Sequence, residues 1–187
     1  MLDDCCDVIF TEAQVNLRDR FRILWEQHDV WTREVINGIV FELPNLEFTT
    51  ARLLRNPVDM AKEFGRFYGP LVQSRLEELF TEHLVLAAEL VVAAKAGDNE
   101  AVEDTRRRWY ENGDDLARFL SSINPFWSYR RWLELIFHHL DLVEKEAVFL
   151  LTERFEENIA IYDEIEEQSL VMADFMAMGI INQFCFS

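Results

Sequence analysis

The sequence predicts an all-α protein, an antiparallel bundle of four to five long helices with two short helices in a connector. Apolar residues recur at three- and four-residue steps over long stretches, which is the spacing of one face of a helix. No stretch shows the strict alternation of a half-buried strand, and β-branched residues are not clustered. The 187 residues include only 6 glycines and 4 prolines, and Pro44, Gly97 and Pro125 stand where helices should stop. We therefore predict a single helical domain over residues 1–187.

The first long helix is predicted from Thr11 to Phe41, after a flexible tail at residues 1–10. Prolines at positions 44, 57 and 70 interrupt the segment that follows. Residues 42–69 are therefore predicted to be a connector that contains short helices at residues 49–56 and 58–68. A connector of this length allows either direction for the first helix, and the sequence leaves that direction open.

Four more long helices are predicted, joined by short links. The second begins at Pro70, which suits the first turn of a helix, and ends at Gly97. The third starts at Asp98 or Asn99 and stops before Pro125, the fourth covers residues 128–152, and the last covers residues 155–184. Because the links are short, each of these helices should pack antiparallel to the next.

The charge of the chain excludes some classes of partner. A net charge of −17 at pH 7 argues against sequence-independent binding of nucleic acid, which needs Lys and Arg to neutralise phosphates, and against anionic membranes.

No stretch approaches the ~20 uninterrupted apolar residues that span a bilayer. The three cysteines, Cys5, Cys6 and Cys185, lack the spacing of a zinc site, and the acidic N-terminus does not resemble a signal peptide. We expect a cytoplasmic protein.

A polar side chain interrupts the predicted inner face of each long helix near its middle: His28, His83, Asn112, His139 and Glu166. At ~1.5 Å of rise per residue, His83 and Asn112 lie equally far from the turn that joins their helices, and His139 lies nearly level with its neighbours. Glu146 follows His139 by two turns, and Asp163 lies on the shoulder of the last buried face. The sequence therefore predicts one polar layer across the core.

One hypothesis for this layer is a transition-metal site, since imidazoles and carboxylates from facing helices converge on metals in bundle cores. Iron, zinc, manganese or nickel would suit such donors. Neither the Glu-x-x-His pairs of di-iron bundles nor a His-x-x-x-His pair is present. An ion with an open position would support hydrolytic or oxidative chemistry, and the sequence leaves open whether the protein is an enzyme. The candidate ligands are the imidazoles of His28, His83 and His139, a carboxylate from Glu146, Asp163 or Glu166, and Asn112 as a weak ligand or as a group that orients a histidine.

The alternative hypothesis is a buried hydrogen-bond network without metal, in which His83, Asn112, His139 and Glu166 satisfy one another and set the register of the helices. In that case the chain is a non-enzymatic acidic interaction protein. It would bind a basic protein partner, or form a homo-oligomer through exposed aromatic side chains. The metal content of the purified protein discriminates the two hypotheses.

Four blocks of sequence resemble an uncharacterised family of small bacterial helical proteins, some of which carry an automatic label as acetylglutamate kinase. The blocks are LWEQHDVWTR (24–33), ARLLRNPVDMAKEFGRFYG (51–69), LFTEHLVLAAELVVAAKAGD (79–98) and RRRWYENGDDLARFLSSINP (106–125). The resemblance covers residues 20–184 and implies a bacterial origin. It implies no kinase activity, because that chemistry needs an α/β fold with glycine-rich phosphate loops, and this sequence predicts neither.

Overall fold

The structure is a computed structural model that describes residues 10–184. Nearly all of the predicted tail and all three cysteines lie outside the described residues. Within residues 10–184 the chain forms helices and no strand, so the predicted all-α fold class is confirmed. The helices are α1 (Glu12–Phe41), α2 (Leu46–Leu53), α3 (Arg55–Tyr68), α4 (Pro70–Ala96), α5 (Asn99–Ile123), α6 (Tyr129–Leu151) and α7 (Phe155–Phe184).

Local capping chemistry explains where the long helices begin and end. Thr11 caps α1 through a reciprocal pair of hydrogen bonds with Gln14, and Asp98 and Ser128 accept backbone N–H groups at the starts of α5 and α6. Gly97 ends α4 in the left-handed conformation, with φ of 71°. These are the boundaries that the sequence predicts, to within one or two residues.

The connector differs from the prediction in detail. The sequence predicts a break at Pro57, whereas Pro57 lies in the first turn of α3 and the break falls earlier, at Leu54. Proline is tolerated there because the first amide groups of a helix have no partner within the helix.

The five long helices form a closed ring in the order α1, α4, α5, α6, α7, with α7 returning to α1. Arg22 pairs with Asp174, and Arg33 reaches Asn158, so α1 runs antiparallel to α7. Near the C-terminal ends of α1 and α4, Lys95 donates to the carbonyl oxygen of Ile39, so these two helices are parallel. A ring with an odd number of helices must contain at least one parallel pair. The long connector makes that pair possible and fixes the direction of α1.

Helix α3 fills the gap between the N-terminal halves of α1 and α4. The side-chain amide of Asn56 donates to the carbonyl oxygen of Leu24, and the ring of Phe64 packs edge-on against Phe21, with 5.4 Å between centroids. Both phenylalanine rings are fully buried. The core is therefore enclosed on this side. None of the helices in residues 10–184 combines the length and the apolar character needed to cross a bilayer.

The N-terminal half of α7 has a different buried face from the predicted one, whereas the predicted Ala173, Ala177 and Ile180 of its C-terminal half are buried. The sequence predicts Ile159 and Glu166 on the inner face, but Ile159 is 63% exposed and Glu166 is half-buried. Ile165, Gln168 and Ser169 face the core instead. In the N-terminal half, Ile159 and Tyr162 mark one face while Ile161 and Ile165 mark another, so periodicity alone does not define its rotation.

Candidate metal centre

The three predicted histidines line one internal cavity of about 30 Å³. The imidazole rings of His28 and His139 lie 5.5 Å apart, and the indole of Trp25 meets both edge-on, at 5.2 and 5.5 Å between centroids. His83 lies on the wall of the same cavity. Residues from α1, α4 and α6 thus converge in the core, as their position near the middle of each helix predicts.

The protonation of His139 follows from its hydrogen bonds. Its Nδ1 lies 3.0 Å from the side-chain oxygen of Gln168, whose amide nitrogen donates to the carbonyl oxygen of Leu135 at 2.9 Å. Because the amide nitrogen is used in this way, its oxygen faces the imidazole, and Nδ1 must carry the hydrogen. Burial, together with His83, lowers the pKa of His139 to about 3. The ring is therefore neutral and keeps a lone pair on Nε2.

Asn112 holds His83 in the same way. Nδ1 of His83 lies 2.9 Å from the side-chain oxygen of Asn112, and the amide nitrogen of Asn112 donates to the carbonyl oxygen of Leu79 and to the carboxylate of Glu82. Burial lowers the pKa of His83 to about 4. The predicted proximity of His83 and Asn112 is confirmed. For His139 the partner is Gln168, not the predicted Glu166, because of the rotation of α7.

A buried carboxyl group close to these rings belongs to Asp29, which is not among the site residues predicted from the sequence. One carboxylate oxygen accepts a hydrogen bond from the hydroxyl of Ser169 at 3.0 Å, and the other, Oδ2, has no hydrogen-bond partner. Burial raises the pKa of Asp29 well above its usual range, and Glu26 adds to the effect. Its hydrogen bond within residues 10–184 comes from Ser169, and no Lys or Arg among these residues forms an ion pair with it.

His28, Asp29 and His139 form one group in which a ligand atom from each residue lies within 4.8 Å of the others. All three are buried. Ligand atoms at ~2.1 Å from one ion lie at most about 4.2 Å apart, so small side-chain movements would bring the three around an ion. Burial, with His139 and His83 nearby, holds the pKa of His28 well below its usual range. The arrangement is compatible with a metal site, and His83 does not join the group.

The other predicted carboxylates lie outside this group. Glu146 is buried and accepts a hydrogen bond from Arg33 at 2.5 Å, while Arg33 also donates to Asn158 at 2.8 Å. Burial raises the pKa of Glu146 to about 7, and Arg33 opposes the rise. Asp163 is exposed, and Glu166 is half-buried. Glu146 is therefore already paired with a guanidinium.

A sequence signal for Asp29 exists, although it is weak. Consecutive helical residues differ by about 100° around the axis, so a residue next to His28 is expected to face elsewhere. Yet Trp25, Asp29, Thr32 and Ile36 follow one another at three- and four-residue steps, and all four are buried. An acid within such a stripe marks a polar contact in the core. The partner on α7 cannot be identified from this spacing.

Fold and site together define an all-α bundle with a buried His–Asp–His group in its interior. Comparison with known proteins gave no matching family model, no matching curated protein and no matching solved structure. The resemblance to small bacterial helical proteins therefore stays a prediction. The function has to be inferred from the geometry of the site.

Proposed function

We propose that this protein binds a transition-metal ion in the core of the bundle through His28, Asp29 and His139. The observation that carries the proposal is the orphaned Oδ2 of Asp29, buried beside two imidazoles that are neutral at physiological pH. An unpaired buried carboxylate is costly, and a bound cation would offset that cost. Neutral imidazoles are the form that coordinates metals.

The surroundings of the three residues suit a ligand role. A metal-binding histidine usually donates its second ring N–H to an oxygen, which sets the tautomer and the orientation of the ring. Gln168 accepts a hydrogen bond from Nδ1 of His139 in this way, and Ser169 donates one to Oδ1 of Asp29. Both residues lie on α7, so one helix orients ligands from α1 and α6.

The donor set narrows the choice of ion. Two imidazole nitrogens and one carboxylate oxygen, with further positions open, are typical of mononuclear iron(II) sites. Zinc, manganese and nickel accept the same donors, and affinity alone would not separate them. Iron(II) is therefore the ion that we propose first.

Metal titration of the chelator-treated protein tests the proposal. Isothermal titration calorimetry with iron(II) under anaerobic conditions should give one ion per chain, whereas Asp29→Asn and His139→Ala should bind at least about tenfold more weakly. His138→Ala is the matched control, because His138 is the exposed neighbour of His139 on the same helix. Its affinity should equal that of the wild type. Circular dichroism checks that each variant is folded.

Two results would count against the proposal: no uptake of iron, zinc, manganese or nickel by the folded wild type, or equal uptake by His139→Ala. The metal-free alternative would then hold. In that state burial favours the protonated form of Asp29, and the His83–Asn112 and His139–Gln168 hydrogen bonds hold the imidazoles without an ion. The acidic surface would in that case be the feature to pursue, with a basic protein as the partner.

A further inference from the structure

The cavity beside the proposed metal centre has a size and a wall that restrict what it holds. Its volume is about 30 Å³, which is the room of one or two water molecules. Apart from the three histidines, Asn56 and the indoles of Trp25 and Trp132, the wall is apolar, with contributions from Phe80, Leu116, Leu120, Ile136, Leu140 and Met172. Apolar walls of this kind hold small ligands that lack strong hydration.

The cavity is also the free space next to two of the proposed ligands. His28 and His139 belong to the three-residue group and line the cavity at the same time. Three protein ligands leave at least one coordination position open on a transition-metal ion. The side chains of Trp25 and Asn56, both on the cavity wall, pack around His28 and limit the space available there.

The wall of the cavity also carries a hydrogen-bond acceptor, on His83. Asn112 fixes the hydrogen of His83 on Nδ1, so the lone pair lies on Nε2. Within residues 10–184 no protein group hydrogen-bonds to that nitrogen. Since burial holds the pKa of His83 low, the ring stays neutral and accepts rather than donates.

We infer that this cavity is a size-selective ligand site: an ion held by His28, Asp29 and His139 takes as its exogenous ligand a molecule of no more than about two or three non-hydrogen atoms. The inference rests on the proposed metal centre and adds the class of ligand. Molecules of the size of dioxygen, nitric oxide or hydrogen peroxide fit. A ligand that bears a proton would donate it to a hydrogen bond with Nε2 of His83. A ring-sized ligand does not fit unless the core is displaced.

Nitric oxide on the iron(II)-loaded protein provides the test. Anaerobic addition should produce the EPR signal of a high-spin iron nitrosyl, and prior incubation with excess imidazole should leave that signal unchanged. Leu116→Phe places a larger side chain on the cavity wall and should reduce the signal at least about tenfold. Leu90→Phe is the matched control, because Leu90 lines a different cavity of about 70 Å³. It should behave as the wild type.

The outcomes separate the two proposals. Stoichiometric iron without a nitrosyl signal would overturn the ligand site and leave the metal centre standing. Suppression of the nitrosyl signal by imidazole would overturn the size selection. This measurement needs only the wild-type protein, so it holds even if Leu116→Phe fails to fold. Equal signals from Leu116→Phe and Leu90→Phe would also overturn the size selection. Absence of iron binding would overturn both the metal centre and the ligand site.

Discussion

The buried imidazole of His83 should make the metal-free protein sensitive to acid, and His83→Gln should remove part of that sensitivity. In the folded chain the pKa of His83 is lowered to about 4 by burial, against 6.5 for an exposed histidine. Below pH 6.5 the unfolded chain binds a proton at this position and the folded chain does not. Stability contributed by the neutral ring is therefore present above pH 6.5 and is lost as the pH falls.

The size of the effect follows from the two pKa values. At about pH 5 the pH is roughly 1.5 units below the pKa of the imidazole in the unfolded chain, while the folded ring is still mostly neutral. At 1.36 kcal/mol per unit, the free energy of unfolding falls by about 2 kcal/mol through His83 alone. Glu146 has the opposite effect on stability. Its pKa is raised to about 7 in the folded chain, so through this residue the free energy of unfolding rises as the pH falls toward 4.5. The pH dependence of the wild-type stability therefore combines opposing contributions from several residues. The difference between the wild type and His83→Gln isolates the contribution of His83.

Urea denaturation followed by circular dichroism, at about pH 7 and about pH 5 with chelator present, measures the difference. Gln at position 83 can still donate to Asn112 and does not titrate. The loss of stability between the two pH values should be about 2 kcal/mol smaller in His83→Gln than in the wild type. His138→Gln is the control, because His138 is exposed and should leave the loss unchanged. Equal losses in the wild type and His83→Gln would refute the argument.

Three further changes test other parts of the core. Arg33→Met leaves Glu146 buried without its partner and should lower the free energy of unfolding by about 3 kcal/mol in urea titrations, more at high pH; an unchanged value would mean that the pair is open to water. In Gly179→Ala the new Cβ would lie 1.8 Å from Nε1 of Trp127, so the free energy of unfolding should fall by about 3 kcal/mol, measured as a lower melting temperature. An unaltered melting temperature would contradict the close packing. Trp127→Phe loses an indole hydrogen bond to a backbone carbonyl, whereas the indole of Trp109 has no partner to lose. Trp127→Phe should therefore be more destabilising than Trp109→Phe by about 1 kcal/mol in urea titrations, and the reverse order would contradict the assignment.

Features that depend on neighbouring residues could be predicted from the sequence. The ends of the helices follow from caps, prolines and Gly97, and the pairing of His83 with Asn112 follows from counting residues to the turn between α4 and α5. Both arguments use distance along one chain segment. They hold because a short link leaves a helical hairpin little freedom.

The rotation of the N-terminal half of α7 could not be predicted, although the buried faces of α1, α4, α5 and α6 could. A shift of one or two residues in the face of α7 moves Glu166 toward the surface and brings Gln168 and Ser169 inside. That shift changes the partner of His139 from a carboxylate to an amide. It also hides the significance of Asp29, whose contact lies on α7. Because Ile159, Ile161 and Ile165 fit two different faces, their spacing carries too little information about the orientation of this half of the helix.

The identity of these partners supports the proposal that the interior holds a cation. Had Glu166 faced His139, its negative charge would have favoured the imidazolium form, which cannot coordinate a metal. The amide of Gln168 fixes the same tautomer without adding charge. Glu146 is neutralised by Arg33, so among the described residues near the cavity Asp29 is the buried acid that lacks a counterion. Two neutral imidazoles and one carboxyl group without a counterion therefore suit the divalent metal ion that we propose for His28, Asp29 and His139.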